Sequence, residues 1–279
     1  MDFLTVGNLT KDLVAGGYTV GGAVTYASVT ALRQGWRPGV LSRIGPDVAM
    51  PAVFQEFDLI SLPASQTLTF ENIYTDEGRQ QVIHAAAEPI TVADVPADLI
   101  QHNPPIVLLG PVANEVARDI AELFPRSLLG VVPQGWMRRW DADGRVHHVP
   151  LECTDPYLAH ADVLVVSTED VGNNLDLVRC FSEQVELTVL TRESHGCDIY
   201  HRGHVTHVPA RRVREVDPTG AGDTFAAAFL IRYYELGDPI QAARYANVAA
   251  SYCIEGISFS TIPSRPQVKA YLAEHGLSG

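Results

Sequence analysis

Short apolar runs rich in β-branched residues alternate along the chain with helical stretches. The runs at 3–7, 39–44, 106–110, 128–132, 163–167 and 187–191 predict strands. The stretches at 23–34, 113–123, 171–181, 224–235 and 240–254 predict helices, and the last two are rich in alanine and aromatic residues, as buried helices are. Strand and helix in alternation predict an α/β fold of three layers, a mainly parallel central sheet with helices on both faces.

Residues 67–84 break this rhythm. Thr67-Leu68-Thr69-Phe70-Glu71-Asn72-Ile73-Tyr74 and Arg79-Gln80-Gln81-Val82-Ile83-His84 flank Asp76-Glu77-Gly78, the signature of a β-hairpin. It is expected outside the main sheet, as a small β flap drawn mainly from about residues 60–88. Segments 144–149 and 196–208 have the pattern of further hairpins, the second turning at Arg202-Gly203. No repeat, low-complexity tract or linker sets off a second unit, so a single domain over 1–279 with a β flap is expected.

Composition narrows the function classes. A formal net charge of −13 argues against a broad nucleic-acid surface, although a small anionic ligand feels local donors more than net charge. No apolar run approaches membrane-spanning length and no basic region followed by an apolar segment opens the chain. Neither a membrane nor secretion is indicated, and the cytosol is the expected location. Cys153, Cys180, Cys197 and Cys253 are widely spaced with no Cys-x-x-Cys, which predicts reduced, unpaired thiols rather than a zinc knuckle or a redox pair. Lys11 and Lys269 are the only lysines, and neither sits where a P-loop or a protein-kinase fold needs one. A nucleotide-phosphate site in this chain must be built from backbone amides, metal and arginine.

Residues 217–223, Asp-Pro-Thr-Gly-Ala-Gly-Asp, run straight into the apolar stretch from Thr224. Gly220 and Gly222 permit close backbone approach and let successive N–H groups converge on one anion. The start of a helix adds unpaired N–H donors and a positive dipole end, both favourable to phosphate. Asp223 opposes an anion there, and two readings account for it: a general base, or an N-cap of the helix.

Other positions carry weaker signals. Asp12 and the pair Gly21-Gly22 follow the first strand, where open α/β sheets bind small molecules; an aspartate there can accept two hydroxyl protons from a polyol, or be a plain loop residue. Gly45-Pro46-Asp47 leaves the next strand in the same manner. Ser167-Thr168-Glu169-Asp170 closes another, with two carboxylates that suit water-mediated Mg²⁺ or simple helix capping. His201, His204 and His207 are expected as solvated strand residues rather than a three-ligand metal site. Gly220-Ala221-Gly222 lacks the third glycine and the following βαβ unit of a dinucleotide fingerprint.

Taken in order, Asp12, Gly21-Gly22, Gly45-Pro46-Asp47, Ser167 to Asp170 and Asp217 to Asp223 resemble the ribokinase-like, PfkB-type carbohydrate kinase family over essentially the whole chain. The resemblance implies the ribokinase-like αβα fold. It makes Asp223 the base that takes the acceptor proton, and the backbone amides of Gly220, Ala221, Gly222 and Asp223 the anion hole. It places Asp12, Gly21, Gly22 and Asp47 toward the phosphate acceptor. The nucleotide falls to Thr191, Gly196, Thr219, Gly222, Asn247 and Ala250, with adenine between the region 191–197 and the helix carrying Asn247, Ala250 and Ser251. Mg²⁺ falls to Asp170 or Glu169.

The chain departs from that family at three places. Ser167-x-x-Asp170 stands where the family has Asn-x-x-Glu, and Glu193 stands where a glycine is usual. The segment from Asp12 to Gly21 is short, which leaves the 67–84 hairpin as the main expected cover and predicts weaker burial of the acceptor and a monomer, with a homodimer left open. Residues 132–144, with Arg138 as a further acceptor contact or an exposed side chain, and the start Gly21-Gly22-Ala23 are similar to the myo-inositol kinase branch. The expected activity is ATP- and Mg²⁺-dependent phosphorylation of a sugar or cyclic polyol, with myo-inositol the first choice. The alternatives are a sugar- or nucleotide-sensing protein without turnover, and a kinase for another sugar or a nucleoside.

Overall fold

The structure, a computed structural model, describes residues 1–75 and 78–277. The expected hairpin turn at Asp76-Glu77 lies outside the described residues. The strands are β1 (Phe3–Val6), β2 (Thr10–Val14), β3 (Gly17–Gly21), β4 (Pro38–Ile44), β5 (Asp58–Pro63), β6 (Leu68–Thr75), β7 (Gly78–Ala85) and β8 (Ile106–Leu109). They continue with β9 (Leu128–Val131), β10 (Arg138–Trp140), β11 (Val146–His148), β12 (Val163–Ser167), β13 (Leu187–Thr191), β14 (Cys197–His201) and β15 (His204–Val208). The α-helices are α1 (Ala23–Arg33), α2 (Ala97–His102), α3 (Leu175–Gln184), α4 (Ala221–Leu236), α5 (Pro239–Cys253) and α6 (Arg265–Glu274).

The main sheet has nine strands in the order β15-β14-β13-β12-β9-β8-β1-β4-β5. From β13 to β5 every pairing is parallel, and β14 and β15 add an antiparallel hairpin at one edge. Strand periodicity sorts the core into two clusters. Leu4, Val6, Val107, Leu109, Leu164 and Val166 face Phe181 of α3 and the side chains of Phe124, Trp136 and Tyr157. Phe3, Ile106, Leu108, Val163 and Val165 face the alanine- and phenylalanine-rich surfaces of α4 and α5. This is the three-layer arrangement expected.

Strand order reverses at β1: the chain adds β4 and β5 on one side of it, then β8, β9 and the later strands on the other. A reversal of that kind leaves a crevice beyond the carboxyl ends of the strands. Above it lies a second sheet, β3-β2-β6-β7, in which β2 pairs parallel with β6. The flap therefore draws half its strands from residues 10–21, not mainly from 60–88 as expected, and β5 belongs to the main sheet. The hairpin β10-β11 braces the flap: Ile83 N donates to Gly144 O at 2.8 Å.

Other expectations change with the backbone. In place of a helix over 113–123, residues 118–123 form a 3-10 turn preceded by an extended stretch. Asn114 adopts a left-handed φ of 55°, and Val116 bridges to Ile90. The helix expected from 171 begins at Leu175, because Gly172 and Asn173 have φ of 57° and 59° and Asn174 caps by accepting from Leu177 N. The strand before the 144–149 hairpin, β10, and the helix α6 carried no distinct signal in the pattern. Cys153 and Cys180 are joined in a disulfide, which corrects the expectation of four free thiols, whereas Cys197 and Cys253 are free and buried. Spacing missed the pair because the loop after β11 packs against α3 only in the folded chain.

Candidate active site

The site is built where the loops after β1, β4 and β8 meet the start of α4. Gly22 sits at φ 88° against Asn8 O, and a Cβ at Gly21 would collide with the Asp12 carboxylate. Both glycines are there to let the turn into α1 close beneath Asp12. Asp12 itself lies on β2, in the flap, rather than in a loop. Thr10 Oγ1 donates to its Oδ1 at 2.9 Å. Burial pushes the Asp12 carboxyl up to about 6, opposed by Thr10 and Arg138 and reinforced by Asp217.

Asp223 is in the first turn of α4, but the helix is capped by Gly220, whose left-handed φ of 79° only glycine adopts cheaply. Gly220 also lies flat against the ring of Tyr26, which leaves no room for a Cβ. Of the two readings of Asp223, the cap is thus taken by another residue. Among the described residues its carboxylate makes no hydrogen bond. Burial raises it to about 7, with Arg138 pulling down and Asp170 pushing up.

The amide nest is narrower than the sequence suggests. Ala221 N turns back to Pro218 O at 3.2 Å, whereas the N–H groups of Gly222 and Asp223 have no partner among the described residues. Nothing lies within 4 Å of the position a Cβ would take on Gly222, so a side chain there would meet open space. Asp217 shapes the turn from below: Oδ1 accepts from Thr219 N at 3.0 Å and Oδ2 from Ser258 N at 3.1 Å.

Arg138, at the start of β10, is the cation that reaches both carboxylates. Its Nη1 donates to Val112 O at 2.8 Å and its guanidinium lies 5.7 Å from the ring centre of Phe70. Asp170 is buried and largely used by its own turn: Oδ2 accepts from Ser167 N at 2.8 Å, and Asp170 N donates to Ser167 Oγ at 3.0 Å. Glu169 beside it is exposed. Asp47 stands apart from the carboxylates around Arg138. It takes the Lys11 ammonium at 2.7 Å and Thr67 N at 2.8 Å, and these outweigh burial and hold its carboxyl at about 2. Its visible work is tying β2 to the start of β6.

The residues expected at the nucleotide form a separate group. The Asn247 amide donates to Val208 O at 3.1 Å and Pro209 O at 3.2 Å, which fastens α5 to the end of β15. Gly196, at φ 100°, has no room for a Cβ beside Val208 O. Thr191 Oγ1 donates to Val166 O at 3.4 Å, and half-buried Ala250 lies one residue before Ser251, whose hydroxyl accepts from Arg211. Glu193 keeps a left-handed φ of 49°, the conformation a glycine would serve at that place.

One buried acid escaped the sequence reading. Glu115 accepts from Asn8 N, Val112 N and Ala113 N at 2.7 to 3.1 Å and so locks the loops after β1 and β8 together. Burial pushes its carboxyl up. Its only signal was an acid inside an otherwise apolar stretch, and assigning that stretch to a helix hid it.

Residues 157–265 match the profile described as pfkB family carbohydrate kinase, a span that holds both Ser167 to Asp170 and the glycine turn. An inositol 3-kinase of Arabidopsis thaliana is 26% identical over 269 residues, which is 91% of this chain and 74% of the relative. The chain belongs to the pfkB family of carbohydrate kinases. An inositol 3-kinase of Oryza sativa is 31% identical over 234 residues, 76% of this chain and 57% of the relative, so this family member spans only part of the plant proteins it matches. Among solved structures, a pyrophosphate-dependent kinase of the ribokinase family, complexed with a pyrophosphate analog and myo-inositol, superposes with a TM-score of 0.79 at 21% identity. That superposition covers 96% of this chain and 99% of the other. Arabidopsis thaliana ribokinase complexed with ribose and ATP gives 0.75 at 18% identity, covering 97% and 98%. These likenesses show that this pfkB-family chain has the ribokinase fold. Among the described residues no helix is long and apolar enough to cross a membrane.

Proposed function

We propose that the protein transfers the terminal phosphoryl group of ATP to a hydroxyl of a cyclic polyol, with myo-inositol the first choice. One observation carries the reading: a carboxylate raised to about 7, with no hydrogen bond among the described residues, stands in the same helical turn as two amides that have no partner among them. A base poised near neutrality removes a hydroxyl proton, and converging N–H donors stabilise charge on a transferring phosphoryl group. The inositol kinases among the relatives support the choice of acceptor class.

In this mechanism Asp12 accepts from acceptor hydroxyls under the flap and fixes the ring. Asp223 takes the proton from the hydroxyl that attacks the terminal phosphorus. The new O–P bond forms as the bond to the leaving ADP oxygen breaks, and the proton stays on Asp223 until the product leaves. The N–H groups of Gly222 and Asp223 carry the charge on the phosphoryl oxygens, with Arg138 on the acceptor side. Alignment and charge stabilisation are most of what phosphoryl transfer asks of a protein, which is how a site without a lysine suffices.

Among the described residues no group of three His, Cys, Asp or Glu is arranged to hold a metal directly. Asp170 or Glu169 would hold Mg²⁺ through its waters, since their carboxylates are the oxygen donors that ion takes. When bound, the ion would neutralise charge on the donor phosphates.

The test is product formation from a panel of inositols, ribose, fructose and nucleosides, with ATP and pyrophosphate as parallel donors. ADP release with an inositol supports the reading. Phosphate release from pyrophosphate alone would replace ATP as donor and leave the acceptor chemistry standing. Ligand-dependent thermal stabilisation with no product from any pair would refute the kinase reading in favour of a sensor.

A further inference from the structure

Arg138 is held between two parts of the fold. On one side Nη1 bonds Val112 O, in the loop after β8; on the other the guanidinium lies over the ring of Phe70, on β6 of the flap. Phe70 pairs in register with Asp12 on β2. Paired residues on neighbouring strands project to the same face, so the flap carries the Asp12 carboxylate and the Phe70 ring side by side. Phe70 is 4% exposed and packed among Leu68, Ile83 and Val112, which fixes its ring. A guanidinium is attracted to the face of an aromatic ring, and that attraction strengthens as water is excluded.

We propose that Phe70 is a positioning residue: its ring fixes the Arg138 guanidinium between Asp12 of the flap and Asp223 of α4, so that the flap sets where this charge stands at the reacting centre. The proposal rests on the kinase reading for its consequence in turnover, but the placement of the charge is a property of the protein alone. Leucine at position 70 would fill much of the same volume without a ring face. Arg138 would then lose that ring face while keeping its bond to Val112 O, and its long side chain would gain rotamer freedom. The charges and titratable groups that act on Asp223 include Arg138, Asp170 and the Cys253 thiol; those that act on Asp12 include Arg138, Asp217 and Tyr26. With Arg138 loosened, the acidic neighbours prevail and both carboxyls hold their protons to higher pH.

The experiment compares wild type, Phe70→Leu and Phe70→Tyr by steady-state kinetics across pH, by melting temperature, and by ¹³C NMR titration of the Asp223 carboxyl. In Phe70→Leu, kcat should fall about five- to thirtyfold, with a smaller change in acceptor KM, while Phe70→Tyr stays within about threefold of wild type. The acid limb of the kcat profile and the Asp223 titration should both move to higher pH in the leucine variant. An unchanged Asp223 titration overturns the proposal, whether kcat is also unchanged or falls only as far as lost stability explains. If wild type phosphorylates nothing, the kinase reading fails by itself, and the Asp223 titration, which needs no turnover, still decides the role of Phe70.

Discussion

Replacing Asp223 by asparagine removes a proton acceptor and a half-buried charge together, so rate and stability should move in opposite directions. Burial lifts this carboxyl from 3.8 to about 7, a rise that corresponds to about 4 kcal/mol held against the ionised form. Below pH 3.8 the folded and unfolded chains are both protonated there and no cost is felt. As pH climbs from 3.8 toward 7 the unfolded chain ionises first, stability is lost, and the full cost persists above about pH 7. An amide does not titrate, so at about pH 8 Asp223→Asn should be the more stable protein by up to about 4 kcal/mol, a rise of several degrees in melting temperature. At pH near 4 the two should melt alike. Turnover should fall about 10²- to 10⁴-fold, the usual worth of a positioned general base. The assays are coupled ADP release and calorimetric binding of the acceptor, which the substitution should leave nearly intact. Wild-type kcat should rise with pH to a plateau above about 7. A variant turning over near the wild-type rate would falsify the base assignment, and one less stable than wild type at pH 8 would refute the cost assigned to burying the charge.

The glycine turn offers a matched pair. Gly222→Ala meets open space and should fold with unchanged or higher melting temperature, yet raise the donor KM at least about tenfold by crowding the amide nest. Gly220→Ala must drive a methyl into the Tyr26 ring at a left-handed backbone position, and should cost about 2 kcal/mol or more in denaturant unfolding. Asp47→Ala unties Lys11 and Thr67; acceptor KM should rise several-fold while kcat stays within about twofold, because the residue orders the flap rather than the reacting atoms. Cys153→Ser should lower stability by about 3.5 kcal/mol, the chain-entropy value for a closed loop of this length, and added reductant should lower the wild-type melting temperature toward that of the variant.

Much of the fold was legible because the alternation of apolar runs is a local property. Six strands of the main sheet and helices α1, α4 and α5 stand within a few residues of where periodicity predicts them. The failures share a cause. The helix expected over 113–123 gives way because the Glu115 carboxylate is taken by the N–H groups of Val112 and Ala113 in its own loop and of Asn8 in the loop after β1, the last a partner no local pattern can display. Strands β2 and β3 were hidden because a two-sided flap of mixed polarity lacks a continuous apolar face, and the Cys153–Cys180 pair because it depends on a packing contact.

The same division runs through the site. The sequence by itself determined the glycine turn, the acid that follows it, and the lack of a lysine to serve a phosphate, since each is a matter of residue type at fixed spacing. Only the tertiary structure decided what that acid is for. Gly220 takes the cap, burial raises the Asp223 carboxyl, and Arg138 arrives from a hairpin 85 residues away to balance it against Asp12. A carboxylate's proton affinity depends on the solvent it has lost and the charges brought near it, and both are set by the folded chain.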